Sequence, residues 1–389
     1  MVATTIGLGC HADRGAPSGG GEDAGAGEDA AGPDQGQDPE RDGATEGGAG
    51  DLEPELAGDR SSSGDSPGDA AAAGSDARSC DAGGDCAGRY TVFPIDRLFP
   101  AEPARLNQIT TGPDGNLWFI DGPTIGRMTP DGATQEFMLP GVGFALTGGA
   151  DGNLWFTDES NHQVGRLTPQ GVPTEFPQVA GAPFNPTGIV SGPDGHLWFT
   201  DFDHIGQITT TGALVEFPVP TGSAYATSIA VGSDGNLWFA EQIGKIGRVT
   251  TAGVVTEFPL PAPARPVSTR VFWIAAGPDG NLWFTEPELN QIGRMTPAGV
   301  VTEFSVPTAD GLTDKIAAGP DGNLWFVERA GRLIGQITPS GLITEFPLPT
   351  PRSVPTAVVA GPDGALWFTE EEGPESNGGR HGWIVRMQP

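Results

Sequence analysis

The sequence predicts an all-β protein, a seven-bladed β-propeller of four-stranded blades. One observation is the phrase Gly-x-Asp-Gly-x-Leu-Trp-Phe, which occurs seven times at intervals of roughly 40 residues. The other is that turn signals divide the repeats into short β-prone runs, a pattern typical of propeller blades. The tryptophans of the phrase are Trp118, Trp155, Trp198, Trp238, Trp283, Trp325 and Trp367.

Residues 1–89 differ in composition from the repeats. Between Ala12 and about Gly88 the chain consists mainly of Gly, Ala, Asp, Glu, Ser and Pro, with almost no aliphatic or aromatic side chains. Such a segment cannot bury enough apolar surface to offset its conformational entropy. We therefore expect a disordered acidic tether over residues 1–89 and a propeller over residues 90–389.

The N-terminal cysteines suggest an exported protein. Leu8-Gly9-Cys10 resembles the end of a bacterial lipoprotein signal, although the basic start is missing and the apolar stretch is short. An extracytoplasmic location (secreted, periplasmic or lipid-anchored) is favoured, and a cytoplasmic one stays open. Cys80 and Cys86 favour a local disulfide over a metal site, which needs more ligands than this stretch offers.

The repeat that begins at Thr187 shows how the strands of one blade arise. Its Asp194-Gly195 pair is a strong signal for a hairpin between the first two runs, because it tolerates positive φ. The second run, Leu-Trp-Phe, is apolar on both faces and predicts a strand packed between neighbouring blades. The fourth run ends at Pro218, and proline cannot donate to a neighbouring strand. The fourth run is therefore predicted to be the outer edge.

The ends of the repeat region predict how the ring closes. The last repeat has first, second and third runs, and then the sequence stops at Pro389. Residues 91–95, before the first complete repeat, resemble an isolated fourth run. Pairing this N-terminal strand with the last blade closes the ring and removes an open sheet edge.

Charge and hydropathy exclude two classes of partner. The formal net charge is −30 and the chain has two lysines, Lys245 and Lys315, which argues against nucleic-acid binding. No run of about 18 apolar residues exists, so no transmembrane segment is expected. We expect a monomer with a small-molecule or protein ligand on one propeller face.

Three phrases resemble a known enzyme family. Leu-Trp-Phe-Thr-Glu, Ile-Gly-Arg-x-Thr and Thr-Glu-Phe-Pro-Leu-Pro are similar to phrases of the virginiamycin B lyases, the streptogramin lyases, throughout residues 90–389. The resemblance implies a seven-bladed propeller that acts as a carbon–oxygen lyase in antibiotic resistance. It also implies Mg²⁺-assisted elimination at an ester bond of a cyclic depsipeptide.

The lyase family uses histidines that follow a proline at the start of an innermost strand, with glutamates nearby. The corresponding positions here hold no histidine: they are Asn107, Phe144, Thr187, Thr227, Phe272, Asp314 and Thr356. Elimination requires a base that takes a proton from carbon. The sequence therefore favours a binding or scaffold propeller; the alternative is a streptogramin B lyase whose base has moved to another residue.

An acidic residue follows every Leu-Trp-Phe run and is a candidate metal ligand. Seven such carboxylates on one strand position would form a ring near one face, where a hard cation such as Mg²⁺ could bind. The structural alternative is that each pairs within its blade with the residue at the arginine position of Ile-Gly-Arg, which is an arginine in five repeats. The seven are Asp121, Asp158, Asp201, Glu241, Glu286, Glu328 and Glu370.

Residues in the variable loops supply the other candidates. Three histidines between second and third strands could act as catalytic bases with nearby carboxylates such as Glu371, or could be solvent-exposed loop residues. They are His162, His204 and His381. Aromatic residues before the first strands of repeats 2 to 5 could stack on a ligand, or could pack between blades. They are Phe144, Phe184, Tyr225, Phe272 and Trp273.

Overall fold

The computed structural model describes residues 89–95, 105–177, 184–262, 270–372 and 381–389. These residues form seven four-stranded antiparallel sheets, the blades of a β-propeller. The predicted fold class is confirmed. Apart from Arg89, the predicted tether lies outside the described residues, as do Cys10, Cys80 and Cys86. None of the described segments contains a helix of the length and apolarity that crossing a bilayer requires.

The strands of blades 1 to 4 follow one another along the chain, after an N-terminal strand β1 (Tyr90–Pro94). Blade 1 comprises β2 (Leu106–Thr111), β3 (Leu117–Asp121), β4 (Thr124–Met128) and β5 (Thr134–Met138). Blade 2 comprises β6 (Gly143–Gly148), β7 (Leu154–Asp158), β8 (Gln163–Leu167) and β9 (Pro173–Phe176). Blade 3 comprises β10 (Pro186–Ser191), β11 (Leu197–Asp201), β12 (His204–Ile208) and β13 (Leu214–Pro218). Blade 4 comprises β14 (Ala226–Val231), β15 (Leu237–Glu241), β16 (Lys245–Val249) and β17 (Val255–Pro259).

Blades 5 and 6 repeat this order, and blade 7 completes it with β1. Blade 5 comprises β18 (Ile274–Ala276), β19 (Leu282–Glu286), β20 (Gln291–Met295) and β21 (Val301–Ser305), with a 3-10 helix, Pro287–Leu289, between β19 and β20. Blade 6 comprises β22 (Thr313–Ala318), β23 (Leu324–Glu328), β24 (Leu333–Ile337) and β25 (Ile343–Pro347). Blade 7 comprises β26 (Ser353–Ala360), β27 (Leu366–Glu372) and β28 (Gly382–Met387), and β1 is its fourth strand.

The N-terminal strand closes the ring, as predicted. β1 runs antiparallel to β28, with Tyr90 opposite Met387 and Pro94 opposite Trp383. Phe93 stacks on Trp367 with ring centroids 5.5 Å apart, the same stacking that the fourth strand gives the tryptophan of every other blade. The last blade therefore has its outer edge covered by the other end of the chain, which removes an open edge.

The repeated phrase forms the hairpin and the interior of each blade. In blade 1, Gly115 has φ 74°, the left-handed conformation that the turn requires. Asp114 Oδ1 accepts hydrogen bonds from Trp118 Nε1 at 2.8 Å and from the Asn116 backbone at 3.2 Å. The ring of Trp118 is fully buried and stacks on Phe137. The phrase thus satisfies the indole N–H while burying the ring.

The glycine of Ile-Gly-Arg has a packing role. A Cβ on Gly126 would lie 2.0 Å from the ring of Phe119, so only glycine lets that ring lie on the third strand. The glycines at this position in the other blades with the phrase have the same contact with their own phenylalanine.

Because the strands of each blade pair antiparallel, equivalent strand ends of all blades lie on the same face of the propeller. In blade 1, Leu106 at the start of β2 lies opposite Asp121 at the end of β3, and Asp121 lies opposite Thr124 at the start of β4. We call the face with these ends the upper face. The Asp-Gly turns lie on the opposite, lower face. The candidate residues from the loops therefore share the upper face.

Candidate functional site

The seven carboxylates that follow Leu-Trp-Phe lie at the upper ends of the second strands. All seven are buried, with exposures of 3 % or less. The arginines proposed as their partners lie at the other end of the blade, since Arg127 is opposite Trp118. Arg127 Nη1 lies 3.9 Å from Asp114 Oδ2 of the lower turn, and Arg386 forms the equivalent ion pair with Asp363. The suggested pairing of these arginines with the trailing carboxylates is therefore wrong, because the register separates them.

In blades 1 to 3 the trailing residue is aspartate and binds the segment that enters its own blade. Asp121 Oδ1 accepts from the Arg105 backbone at 2.9 Å, and Asp158 Oδ1 accepts from the Val142 backbone at 3.2 Å. Asp201 Oδ1 accepts from Asn185 N at 2.6 Å. Burial raises the pKa of Asp201 to about 6, against the effect of this hydrogen bond.

In blades 4 to 6 the trailing residue is glutamate and lies near a second glutamate from the fourth strand. No donor among the described residues reaches either carboxylate oxygen of Glu241, Glu286 or Glu328. Burial, followed by the charge of Glu257, raises the pKa of Glu241 to about 8. The pKa values of Glu286 and Glu328 are raised to about 8 for the same two reasons. Burial therefore favours the neutral carboxylic acid over the anion at these three positions.

Blade 7 lacks the second glutamate because β1 supplies the fourth strand. Val92 stands where the other blades place it, opposite Val385 of the third strand. Glu370 instead accepts a hydrogen bond from Ser353 Oγ at 2.7 Å. Burial still raises the pKa of Glu370 to about 7, against the effect of that hydroxyl.

The buried carboxylates do not fit a shared Mg²⁺ site. Each of the seven lies within its own blade, and five have pKa values raised to about 6 to 8, which disfavours the charged form that a cation needs. In the described parts of the chain no three His, Cys, Asp or Glu side chains lie close enough together to hold a metal ion. Mg²⁺ binding stays a prediction that the resemblance implies.

The three candidate histidines belong to three blades. His162 Nδ1 lies 3.3 Å from Asn185 Oδ1, and the backbone of Asn185 in turn binds Asp201. His204 starts β12 opposite Asp201. His381 lies in blade 7 beside Trp383, with ring centroids 6.1 Å apart. Thus two of the three lie near one another, and the third lies apart from them in the ring.

The predicted aromatic residues differ in exposure. Phe184 is buried and meets Phe199 edge-on at 5.6 Å, and half-buried Phe144 packs against the same cluster. Tyr225 is 47 % exposed and contacts Phe202, with ring centroids 5.5 Å apart. Phe272 and Trp273 are half-buried before β18. Contacts between blades therefore account for the first pair, while Tyr225 remains available to a ligand.

Threonines occupy three of the seven positions that correspond to the proline-histidine setting of the lyase family, and they join neighbouring blades. Thr187 Oγ1 of blade 3 donates to the Ala226 carbonyl of blade 4 at 3.1 Å. Thr227 Oγ1 donates to the Phe272 carbonyl of blade 5 at 2.9 Å. Thr356 Oγ1 of blade 7 donates to the Leu106 carbonyl of blade 1. Each of these hydroxyl groups therefore donates a hydrogen bond that links two neighbouring blades.

A group of charged residues on the upper face was not predicted as a site. Lys315 of β22 is 8 % exposed, and its Nζ lies 4.7 Å from the centroid of the Trp273 ring. Arg329 Nη1 lies 3.6 Å from Asp314 Oδ2. Glu371 of blade 7 lies near enough for its charge to act on Lys315. We call these five residues the Lys315 group.

Burial shifts the pKa values of Lys315 and Glu371. It lowers the pKa of Lys315 to about 8; Asp314 opposes this change, and Arg329 adds to it. Burial raises the pKa of Glu371, while the Arg329 guanidinium and the Leu106 N–H oppose that rise. The signal in the sequence was that Lys315 and Trp273 precede the same isoleucine position in adjacent repeats, where other repeats have small or uncharged residues.

Comparisons with known proteins agree with this architecture. A closed ring of seven four-stranded blades defines the class of the protein as a β-propeller. The model of the virginiamycin B lyase family matches residues 99–271 and 265–377. This chain belongs to that family. A comparison with curated proteins finds no match.

Solved structures extend the comparison. A streptogramin B lyase is 31 % identical, with a TM-score of 0.67 over 77 % of this chain and 98 % of that one. A catalytically inactive histidine-to-alanine variant of virginiamycin B lyase from Staphylococcus aureus, with quinupristin, is also 31 % identical, with a TM-score of 0.67 over 77 % of this chain and 99 % of that one. The WD40 propeller domain of Doa1 is 13 % identical, with a TM-score of 0.57 over 73 % of this chain and 93 % of that one, and shares the fold alone.

Proposed function

We propose that this protein binds a small molecule on its upper face, around the channel that the innermost strands line. The observation that carries the proposal is the Lys315 group, in which side chains from blades 5, 6 and 7 come together on that face. A few charged groups beside aromatic rings, with perturbed pKa values, are typical of a ligand site. Tyr225 extends the aromatic surface on the same face.

The family supports binding without requiring catalysis. The inactive lyase variant from Staphylococcus aureus is a structure with quinupristin, so that propeller holds the antibiotic after losing activity. In the present chain the threonines at the family's histidine positions bind neighbouring blades. A cyclic depsipeptide is therefore the first ligand to test.

A carbon–oxygen lyase is the second candidate. The observation in its favour is that Lys315 and Glu371 both have pKa values displaced toward neutrality, as a base near its working pH requires. His162 and His204 are the other candidate bases. In this case one of these side chains would act as the base and remove the carbon-bound proton, the role that a histidine has in the lyase family.

Quinupristin distinguishes the two functions. We would incubate the purified protein with quinupristin, with and without Mg²⁺, and measure linear product by mass spectrometry and binding by calorimetry. Binding without product supports the binding function, and product formation supports the lyase. Lack of both would contradict the choice of a depsipeptide ligand. Trp273→Leu should weaken binding, whereas Trp383→Leu in blade 7 is the matched aromatic control.

Replacing the candidate bases locates any catalysis. If product forms, Lys315→Met should abolish it and Lys245→Met should not, because Lys245 pairs with Glu257 in blade 4. Loss of product in His162→Ala or His204→Ala, with Lys315→Met active, would assign the base to the histidine instead. A Mg²⁺ requirement would be measured in the same assay.

We also propose an extracytoplasmic location. Its support is the acidic tether composition and the Leu8-Gly9-Cys10 sequence. Cell fractionation with labelled palmitate should find the full chain in a lipidated or exported fraction, and Cys10→Ser should remove the label. Recovery of unlabelled protein in the cytoplasm alone would contradict this proposal.

A further inference from the structure

Two exposed aromatic side chains meet on the upper face, where blade 3 adjoins blade 4. Phe202 lies in the two-residue turn between β11 and β12, and Tyr225 immediately precedes β14. Their ring centroids lie 5.5 Å apart with an interplanar angle of 59°, and the two residues are 37 % and 47 % exposed. Contact with a ligand would remove this aromatic surface from water, which is favourable.

The backbone holds Phe202 in a conformation that suits glycine. Its φ is 42°, and Gly122 has φ 58° at the same position of the equivalent turn in blade 1. Tyr225 is also left-handed, with φ 48°. A bulky side chain raises the energy of this conformation, and such strain clusters at ligand sites. The aromatic ring of Phe202 therefore opposes folding at a position where glycine would not, which points to a role in binding.

Hydrogen bonds between the two blades fix the positions of these residues. The Ala226 N–H donates to the Phe202 carbonyl at 3.0 Å. Asp203 Oδ1 accepts from the Ala224 N–H at 3.0 Å, so its carboxylate joins the turn to the segment that carries Tyr225. The described residues donate no hydrogen bond to the second oxygen, Asp203 Oδ2. The two rings and this carboxylate are therefore held together before a ligand binds.

The charge of this part of the ring is negative. Residues 167–244 contain no lysine or arginine, and they contain seven aspartates and glutamates. His204 follows Asp203 in the turn, and Lys245, the first residue of β16, pairs with Glu257 at 3.4 Å. The faces of aromatic rings attract a cation, and a carboxylate adds to that attraction. The chemistry around Phe202 therefore favours an organic cation over an anion.

We propose that Phe202, Tyr225 and Asp203 form a binding site for a small organic cation with an alkylated ammonium group. The alkyl groups contact the two rings, and the carboxylate of Asp203 balances the charge. An alkylated ammonium suits the site because it buries apolar surface while its charge is attracted to the rings. This inference goes beyond the proposed function, since the site belongs to blades 3 and 4 and the Lys315 group belongs to blades 5 to 7.

Choline tests the proposal against a neutral control. The control is dimethylbutanol, the analogue in which carbon replaces the choline nitrogen, and both compounds are titrated into the full chain by ligand-observed NMR. We expect choline to bind about tenfold more tightly, because only choline carries the charge that the rings and Asp203 attract. Added salt should weaken the binding of choline alone. Equal binding of the two compounds, or no binding of choline, would overturn the proposal.

Other blades supply variants that suit the local backbone. Phe202→Gly introduces the residue of blade 1. Tyr225→Leu introduces the residue of blade 6, where Leu312 precedes the first strand with φ 52° and 47 % exposure. Each variant should weaken choline binding about fivefold and melt close to the wild type. Leu312→Ala is the matched control and should bind choline normally. Unchanged choline binding in both ring variants would also contradict the proposal.

Two further measurements separate the charge and the ligand. Asp203→Asn keeps an oxygen for the Ala224 N–H and should weaken the binding of choline several-fold, without affecting dimethylbutanol. An unchanged affinity for choline would remove Asp203 from the site. Quinupristin binding that depends on Trp273, with no binding of choline, would refute the cation site and leave the proposed function standing. Choline binding that depends on Tyr225, with no binding of quinupristin, would give the reverse result.

Discussion

Replacing Glu286 with glutamine should stabilise the propeller at alkaline pH and have little effect in acid. Glu286 is fully buried, no described donor reaches its carboxylate oxygens, and burial together with Glu303 raises its pKa to about 8. Glutamine keeps the size of the neutral acid and cannot ionise. At alkaline pH, folding of the wild type costs free energy, because Glu286 must either keep its proton or be buried as an anion. The variant removes this cost.

The direction of the pH dependence follows from the pKa of Glu286 in the unfolded and the folded chain. The unfolded chain releases the proton near pH 4.5, while the folded chain keeps it to about pH 8. Folding therefore takes up a proton between these values, and stability falls as pH rises from 4.5 to 8, then levels off. Each pH unit in this window costs about 1.4 kcal/mol, so the full cost is at most about 5 kcal/mol.

Urea unfolding at pH 4.5, 6, 7.5 and 9 measures this effect. The free energy of unfolding of Glu286→Gln should exceed that of the wild type by a few kcal/mol at pH 9 and match it closely at the acid end. Glu159→Gln, at an exposed carboxylate of the same face, is the control and should show no such trend. A destabilisation of Glu286→Gln that is the same at every pH would refute the reasoning, since it would mean that the folded protein holds Glu286 as a stabilised anion.

Three further predictions test the ring. Deleting residues 90–96 removes β1 and should lower the melting temperature by many degrees; unchanged melting would contradict closure by this strand. Thr227→Val loses the hydrogen bond to the Phe272 carbonyl and should cost about 1 kcal/mol in chemical unfolding, with Thr211→Val on the exposed lower turn as control. Gly126→Ala places a Cβ against the ring of Phe119 and should destabilise blade 1 by about 1–3 kcal/mol; a neutral result would refute the close contact.

The sequence predicted where many of the candidate residues lie in the propeller, but not which groups they contact. The period placed the trailing carboxylates at one face, because every strand ends at the same point of its repeat. Their partners were not predictable, because the segments that enter the blades differ in sequence from one repeat to the next. Asp121 accepts a hydrogen bond from a backbone N–H of the entering segment, whereas no described donor reaches the carboxylate of Glu286.

The sequence by itself determined the seven blades, the order of strands within them and the closure by β1. These features follow from local signals, namely turns, apolar runs and a proline edge, that recur at one period. Only the tertiary structure decided which side chains meet on the upper face. Trp273 and Lys315 occupy equivalent positions in adjacent repeats, whereas Glu371 follows a second strand of the next blade, so the repeat spacing does not relate it to them. Their mutual approach, and the burial that lowers the pKa of Lys315, exist because the ring brings the upper ends of neighbouring blades together.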